Sequence, residues 1–436
     1  VVRRIVLLMG VVTVAAVATL VIVRDTRPRQ QSGQPAARQQ PGRRPPPRAE
    51  PARMPLGIVW PDDVLARLDP LTLQPRRPQV GLGEYHSAWS FAPDRTQLAL
   101  AISSPGEEGI PVMGDRGRIG IRIVDVQRMA AVRDISTGVA AEALGWLAPR
   151  RLAALLQSGE LVVLDPATGA ILRHEKLSPG VLGPRWARAG DRLVVLLDSL
   201  PVPRLAVVDR AGELRVVALE RQRHGCCGSW SGRAGLAVDA AGERAVVVAA
   251  EVPAAEVDLQ TMAVRYHHLA IPGATLLPPP GTLGLQALQA SGRRALWLAA
   301  TALAVAGEQR ADLGETVASR PAGVALVDPR SWRARMVEPG ADHVCAAGGR
   351  LLAYREEPPG PRPGGGIGLR VHDLEGRPLL RLLGDQPISH VEVWDGEAYV
   401  YSPAAVRVVD PRSGRVVRTL PSRGGYVELL GGPCGA

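Results

Sequence analysis

Glu160-Leu161-Val162-Val163-Leu164-Asp165-Pro166-Ala167-Thr168-Gly169 is an apolar run, an aspartate and a tight turn, and the phrase returns along the chain. Its other occurrences are Leu68-Asp69-Pro70-Leu71-Thr72, Val124-Asp125, Val208-Asp209, Val257-Asp258, Val327-Asp328-Pro329, His372-Asp373 and Val409-Asp410-Pro411-Arg412-Ser413-Gly414. A supersecondary unit repeated at roughly 40 to 50 residues is the sequence form of a β-propeller. An aspartate heading such a turn can accept hydrogen bonds from backbone amides two residues on. Asp69, Asp125, Asp165, Asp209, Asp258, Asp328, Asp373 and Asp410 are therefore read as structural turn residues, not as metal ligands.

The other half of each unit is an apolar strand that often carries tryptophan, a turn, and a second apolar strand. Trp89-Ser90-Phe91-Ala92-Pro93-Asp94-Arg95 runs into Leu98 to Ile102, and Trp394-Asp395-Gly396 into Ala398 to Tyr401. Pro-Asp and Asp-Gly between apolar runs are hairpin signals, because proline fixes φ and glycine accepts φ > 0. Trp89, Trp146, Trp186, Trp230 and Trp394 sit at or near such first strands and are expected to pack between blades.

The expected fold is all-β: a propeller of eight blades by the count of aspartate phrases, preceded by one N-terminal transmembrane helix. Gly57 to Val80 supplies strands of one blade without a Trp-type first strand, and Tyr426 to Leu430 is a lone strand after the last phrase. Together they would complete one sheet and seal the ring. Seven blades stay open at this stage, since Asp69 could belong to a decorative hairpin and the interval from Asp258 to Asp328 is irregular. Long loops are expected at Ser103 to Gly117, His268 to Gly281 and Glu356 to Gly366, where binding specificity tends to reside.

The repeats resemble the WD40-like, YVTN-type and quinoprotein-like bacterial propellers, whose units read as a Ser-Pro-Asp-Gly-type turn, an apolar strand, Val-Asp, Thr-Gly and a further apolar strand. The resemblance covers about residues 57 to 431. It implies a fold rather than an activity, because these families include scaffolds, lyases and dehydrogenases. The Gly-His and Trp-Asp dipeptides of true WD40 repeats are missing.

Composition narrows the partners. The chain carries 52 basic and 42 acidic side chains, a net charge of +10. Residues 1–54 hold ten arginines against Asp25 and Glu50, which is +8, so the remaining residues contribute only +2. The folded part lacks the field that phosphate binding requires, and no nucleic-acid partner is expected. Lys176 is the only lysine and asparagine is absent, so clusters of arginine are discounted as a compositional bias.

Ile5 to Val23 is nineteen residues without charge or proline, enough for about 28 Å of helix. Its apolar run continues past the small residues Ala15-Ala16-Val17-Ala18, unlike a cleaved signal peptide. Residues 1–24 are accordingly expected to be a transmembrane signal-anchor, 25–54 a disordered Pro/Gln/Arg-rich tether, and 55–436 the propeller. A short leading tail favours export, although Arg24, Arg27 and Arg29 after the span count the other way. The expected location is the cell membrane, single-pass, with the propeller outside the cytoplasm.

No HExxH, phosphate loop, GxGxxG or GxSxG is present, and Gly228-Ser229-Trp230-Ser231-Gly232 places its serine, Ser231, one residue late for an elbow. The one dense constellation is His224-Gly225-Cys226-Cys227-Gly228-Ser229-Trp230, with His224, Cys226, Cys227 and Trp230 as weak binding candidates. Cys226 and Cys227 could form a vicinal disulfide in an exported domain, and Cys345 with Cys434 is another pairing. In the quinoprotein alcohol dehydrogenases that the repeats resemble, a vicinal disulfide lies beside the quinone, which implies PQQ with calcium as an alternative cofactor. The chain departs from that pattern after the Thr-Gly turn, where Arg173 and His174 replace tryptophan. Adjacent His267 and His268 point apart on a strand and suit no shared metal. The expected function is a membrane-anchored scaffold that binds another protein, a cell-envelope component or a ligand, without cofactor or metal. The alternative is a propeller enzyme, quinoprotein-like or lyase-like, with its site on one face of the disc.

Overall fold

Among the described residues, eight four-stranded antiparallel sheets account for the strands. Blade 1 contains β1 (Leu56–Val59), β2 (Val64–Leu68) and β3 (Pro75–Gly81). Blade 2 contains β4 (Trp89–Phe91), β5 (Gln97–Ile102), β6 (Gly120–Asp125) and β7 (Ala130–Ser136). Blade 3 contains β8 (Ala141–Ala148), β9 (Arg151–Leu156), β10 (Glu160–Leu164) and β11 (Ile171–Lys176). Blade 4 contains β12 (Arg185–Ala189), β13 (Arg192–Leu197), β14 (Arg204–Val208) and β15 (Leu214–Ala218). Blade 5 contains β16 (Gly235–Val238), β17 (Arg244–Val248), β18 (Ala254–Asp258) and β19 (Val264–His267). Blade 6 contains β20 (Ala290–Ala299), β21 (Ala302–Asp312), β22 (Val317–Val327) and β23 (Ala334–Glu338). Blade 7 contains β24 (His343–Ala347), β25 (Arg350–Tyr354), β26 (Leu369–His372) and β27 (Pro378–Leu382). Blade 8 contains β28 (His390–Trp394), β29 (Glu397–Tyr401), β30 (Ala405–Asp410) and β31 (Arg415–Pro421). The last strand, β32 (Val427–Leu429), returns to blade 1.

This computed structural model describes residues 54–431 except 61, 83–87, 103–119, 178–184, 198–201, 223–233, 240, 250–252, 272–289, 300–301, 313–316, 357–365, 385 and 422–426. The membrane helix expected at Ile5 to Val23 and the tether before residue 54 lie outside the described residues. Among the described residues no helix is long and apolar enough to cross a membrane.

Ring closure follows the sequence expectation. β32 pairs antiparallel with β1 through Gly57↔Leu429, Ile58↔Glu428 and Val59↔Val427, so the end of the chain supplies the first strand of the first blade. The count is eight: the Asp69 hairpin joins β2 to β3 inside blade 1. The long interval between Asp258 and Asp328 is blade 6, whose β21 and β22 run 11 residues each.

Each strand's place in its sheet sets its composition. First strands of successive blades touch one another around the centre, as β4 touches β8 and β12 touches β16. Second and third strands are covered on both faces, so they read as continuous apolar runs such as Leu193 to Leu197 of β13. Fourth strands face solvent and lose that character, as in the almost wholly exposed β7. The core is a set of slabs between blades. Trp146 is fully buried between blades 2 and 3, packed with Ile121, Ile123 and Leu152, and its Nε1 donates to Ser90 O at 2.9 Å. Leu56, Ile58 and Leu65 of blade 1 pack on Leu98 and Leu100, while Ala66 and Leu68 pack on Tyr399 and Val408 of blade 8. Blade 1 is thus held on both sides.

Because sheet neighbours are antiparallel, first-to-second and third-to-fourth connections leave from one face of the ring. Second-to-third and blade-to-blade connections leave from the other. On the first, the turn face, connections such as 69–74, 165–170 and 328–333 reach only six residues. On the second, the loop face, 103–119 spans 17 residues, 219–234 spans 16, 268–289 spans 22 and 355–368 spans 14. The three loops expected from sequence all belong to the loop face.

Candidate functional site

The eight aspartates all fall where a third strand turns into a fourth, on the turn face, and each accepts from its own turn. Asp69 Oδ1 takes the amides of Leu71 and Thr72, Asp165 that of Ala167, Asp209 those of Ala211 and Glu213, and Asp258 those of Gln260 and Thr261. Asp125, Asp328, Asp373 and Asp410 take the amides of Arg128, Arg330, Arg377 and Arg412. Donors around the carboxylate favour its ionised form: a hydrogen bond from Arg76 leads in holding Asp69 low, one from Arg150 in holding Asp165 low, and the Thr261 amide in holding Asp258 low.

Four fourth-strand arginines tie these turns to their neighbours. Arg133 on β7 donates to Thr168 O in the next blade's turn, Arg173 on β11 to Gly212 O, Arg215 on β15 to Gln260 O and Arg335 on β23 to Glu375 O. Each clasps one blade to the next. The compositional discount on arginine hid them, although each follows its blade's aspartate by six to eight residues.

His224, Cys226, Cys227 and Trp230 lie outside the described residues, between β15 and β16 in the sequence. The other four of the five tryptophans expected between blades stand on first strands: Trp89 on β4, Trp146 on β8, Trp186 on β12 and Trp394 on β28. His267 pairs with Glu256 at 2.9 Å and stacks on Trp332, while its neighbour His268 is exposed. Cys345 is disulfide-bonded, and the remaining cysteines, Cys226, Cys227 and Cys434, lie outside the described residues.

The described polar groups that gather most densely stand at the inner end of the loop face, across blades 7, 8, 1 and 2. His343 and His390 occupy equivalent positions, each opening the first strand of its blade and pairing across the hairpin with a tyrosine, Tyr354 and Tyr401. The His390 ring lies 4.0 Å from that of Tyr401 at 17°, and the His343 ring 5.1 Å from that of Tyr354. His343 is nearly enclosed, with Nδ1 donating to Asp342 Oδ1 at 2.7 Å. Its Nε2 lies 2.7 Å from Glu356 Oε2. Asp342 Oδ1 also accepts the Glu356 amide at 2.9 Å, and a bridge from Glu356 to Ile388 carries this corner to the start of blade 8.

In the next gap, Glu392 Oε2 accepts from Tyr401 Oη at 3.2 Å and from the Leu429 amide of the closing strand at 2.8 Å. His390 Nε2 is 4.0 Å from Glu392 Oε1. Further round, Trp89 Nε1 donates to Glu428 Oε1 at 3.4 Å. Burial pushes the His390 imidazole down to about 4, against the pull of Glu356 and Glu428, so it is neutral at pH 7. The rim therefore combines a neutral imidazole, a carboxylate-flanked imidazole, two tyrosines and four carboxyl groups. Such a set can attract a cationic group or exchange a proton. Among the described residues no group of three His, Cys, Asp or Glu side chains is arranged to hold a metal ion.

These residues were legible only in part. A histidine followed eleven positions later by a tyrosine occurs at His343 and His390, and that spacing is the signal the sequence offered. The carboxyl groups come from four separate segments and carried none.

An eight-bladed β-propeller with an imidazole and carboxyl rim on its loop face is the class of protein that fold and site define. Among solved structures the chain is similar to the dihydro-heme d1 dehydrogenase NirN in complex with DHE, with 14% identity, a TM-score of 0.52, and 88% of this chain and 76% of that one covered. It is also similar to BamB from Moraxella catarrhalis, with 11% identity, a TM-score of 0.45, and 81% and 89% covered. The likeness to NirN is one of fold. No family model matches the sequence, and no curated protein matches it.

Proposed function

We propose that this protein is a membrane-anchored scaffold whose loop face binds another protein or a cell-envelope component outside the cytoplasm. The observation that carries the reading is the asymmetry of the disc. Among the described strands, every connection longer than six residues leaves from one face, and the opposite face carries short hydrogen-bonded turns. A rigid ring with variable loops on one side is a display surface. The disulfide at Cys345 supports an oxidising compartment, and the apolar run at Ile5 to Val23 supports the anchor. This reading calls for no cofactor.

The test is site-specific photocrosslinking in cells, with the probe at Glu142 or Glu356 on the loop face and at Arg128 or Arg330 on the turn face. Discrete adducts confined to the loop-face positions are expected. Adducts from the turn face alone, or none from either, would sink the reading. A propeller enzyme of lyase type is the second reading, favoured by the His343 and His390 cluster. It expects turnover that His390→Gln abolishes while the fold survives.

A further inference from the structure

Seven blades have a turn between their first and second strands, and blade 1 has none, because β32 arrives from the other end of the sequence. At that position, between the turns of blade 8 at Asp395 and blade 2 at Asp94, a cavity of about 410 Å³ opens on the turn face. Its walls include Phe91, Trp394 and Leu56, and two guanidinium groups, Arg67 and Arg95, reach it.

The two arginines are placed differently. Arg67 Nη2 donates to Val126 O and Gln127 O, both at 2.9 Å, which fixes the group. Arg95 stands 4.6 Å above the Phe91 ring and 6.0 Å from that of Trp394. Among the described residues neither forms an ion pair. Asp94 is turned to the amide and hydroxyl of Thr96, whose hydrogen bonds hold its carboxyl below the usual range. Asp395 stands exposed beside the opening.

We propose that this cavity binds a small monoanion carrying an aromatic ring, with its acid group held by Arg67 and Arg95 and its ring set against Phe91 and Trp394. The volume lies within the range of small-molecule sites, on the order of 300 to 1,000 Å³. Guanidinium groups suit a carboxylate, and the two aromatic walls suit a flat ring that can share the stacking face with Arg95. Asp94 and Asp395 oppose a second negative charge, which selects against polyanions. The site lies on the face opposite the proposed partner surface, so the two readings stand or fall separately.

The experiment is isothermal titration of the full-length protein in detergent with 1-naphthoate, its neutral amide 1-naphthamide, and inorganic phosphate. Saturable binding of 1-naphthoate, weaker by roughly tenfold or more for the amide, is expected, as fits the loss of a charge-assisted hydrogen bond. Arg95→Gln is expected to weaken 1-naphthoate by a similar factor with the melting temperature unchanged, since Arg95 is exposed. Arg67→Gln gives the same result where the fold persists, and Arg95→Gln decides alone where it does not. Absence of 1-naphthoate binding, equal affinity for the amide, tighter binding of phosphate, or indifference to Arg95→Gln would each overturn the proposal.

Discussion

His390 shows how one residue can report on the state of the whole ring. Its imidazole is held in the gap between blades 8 and 1, stacked on Tyr401 and facing Glu392, and Glu356 and Glu428 act on it from the neighbouring segments. Burial outweighs those carboxyl groups and lowers the value to about 4 from 6.5. A base whose folded value is depressed leaves the unfolded chain holding more protons between the two values. Stability is then complete above pH 6.5 and falls as the pH drops towards 4, by about 3 kcal/mol for a shift of this size. The buried His372, also lowered by burial, acts in the same direction. Thermal unfolding followed from pH 7 to pH 4 is expected to show this loss, and His390→Gln to flatten the curve. An identical pH dependence in the variant would mean that the imidazole is solvated in the native ring.

At the scale of the element, the third-to-fourth hairpin does two jobs with two residues. The aspartate closes its own turn, and the fourth-strand arginine reaches the next blade's turn, as Arg173 reaches Gly212 O. The aspartate was readable because its partner amides are two to four residues away, a local relation that the phrase displays. The arginine's partner lies about 40 residues on, and only the stacking of blades brings it near. Exposed bonds of this kind are individually weak, and distant sites add. Arg215→Ala is expected to lower Tm by about 1 °C or less. Replacing Arg133, Arg173, Arg215 and Arg335 together is expected to lower it by about 4 °C. A fourfold variant that melts with the wild type would show that the clasps contribute nothing in solution.

For the molecule as a whole, the seam at blade 1 is the point where the ring is held without chain continuity. Three backbone partners join β32 to β1, and Leu429 and Leu430 are buried against blades 1, 2 and 8. Truncation after residue 426 exposes the edge of β1 and uncovers both slabs that blade 1 shares with its neighbours. Limited trypsin digestion of that truncated chain is expected to cut first at Arg67 and Arg76 in blade 1, well before any cut in blades 3 to 5. Protection equal to that of the full chain would show that the ring does not depend on its closing strand.

The sequence alone determined the unit and the two ends that close the ring, because each is written in local terms: a periodic apolar run, a turn chemistry, and two incomplete ends that complement one another; it left seven blades open beside eight, and the pairing of strands decided for eight. Three of the four long connections were also legible, since proline and glycine mark them where they stand; the connection 219–234 was not. Only the tertiary structure decided that these connections share a face, that Asp342, Glu356, Glu392 and Glu428 meet two imidazoles there, and that the missing turn of blade 1 opens a cavity between Arg67 and Arg95. Those features join residues from separate blades, and no local preference of the chain encodes a distance between strands that meet only when eight sheets close into a ring.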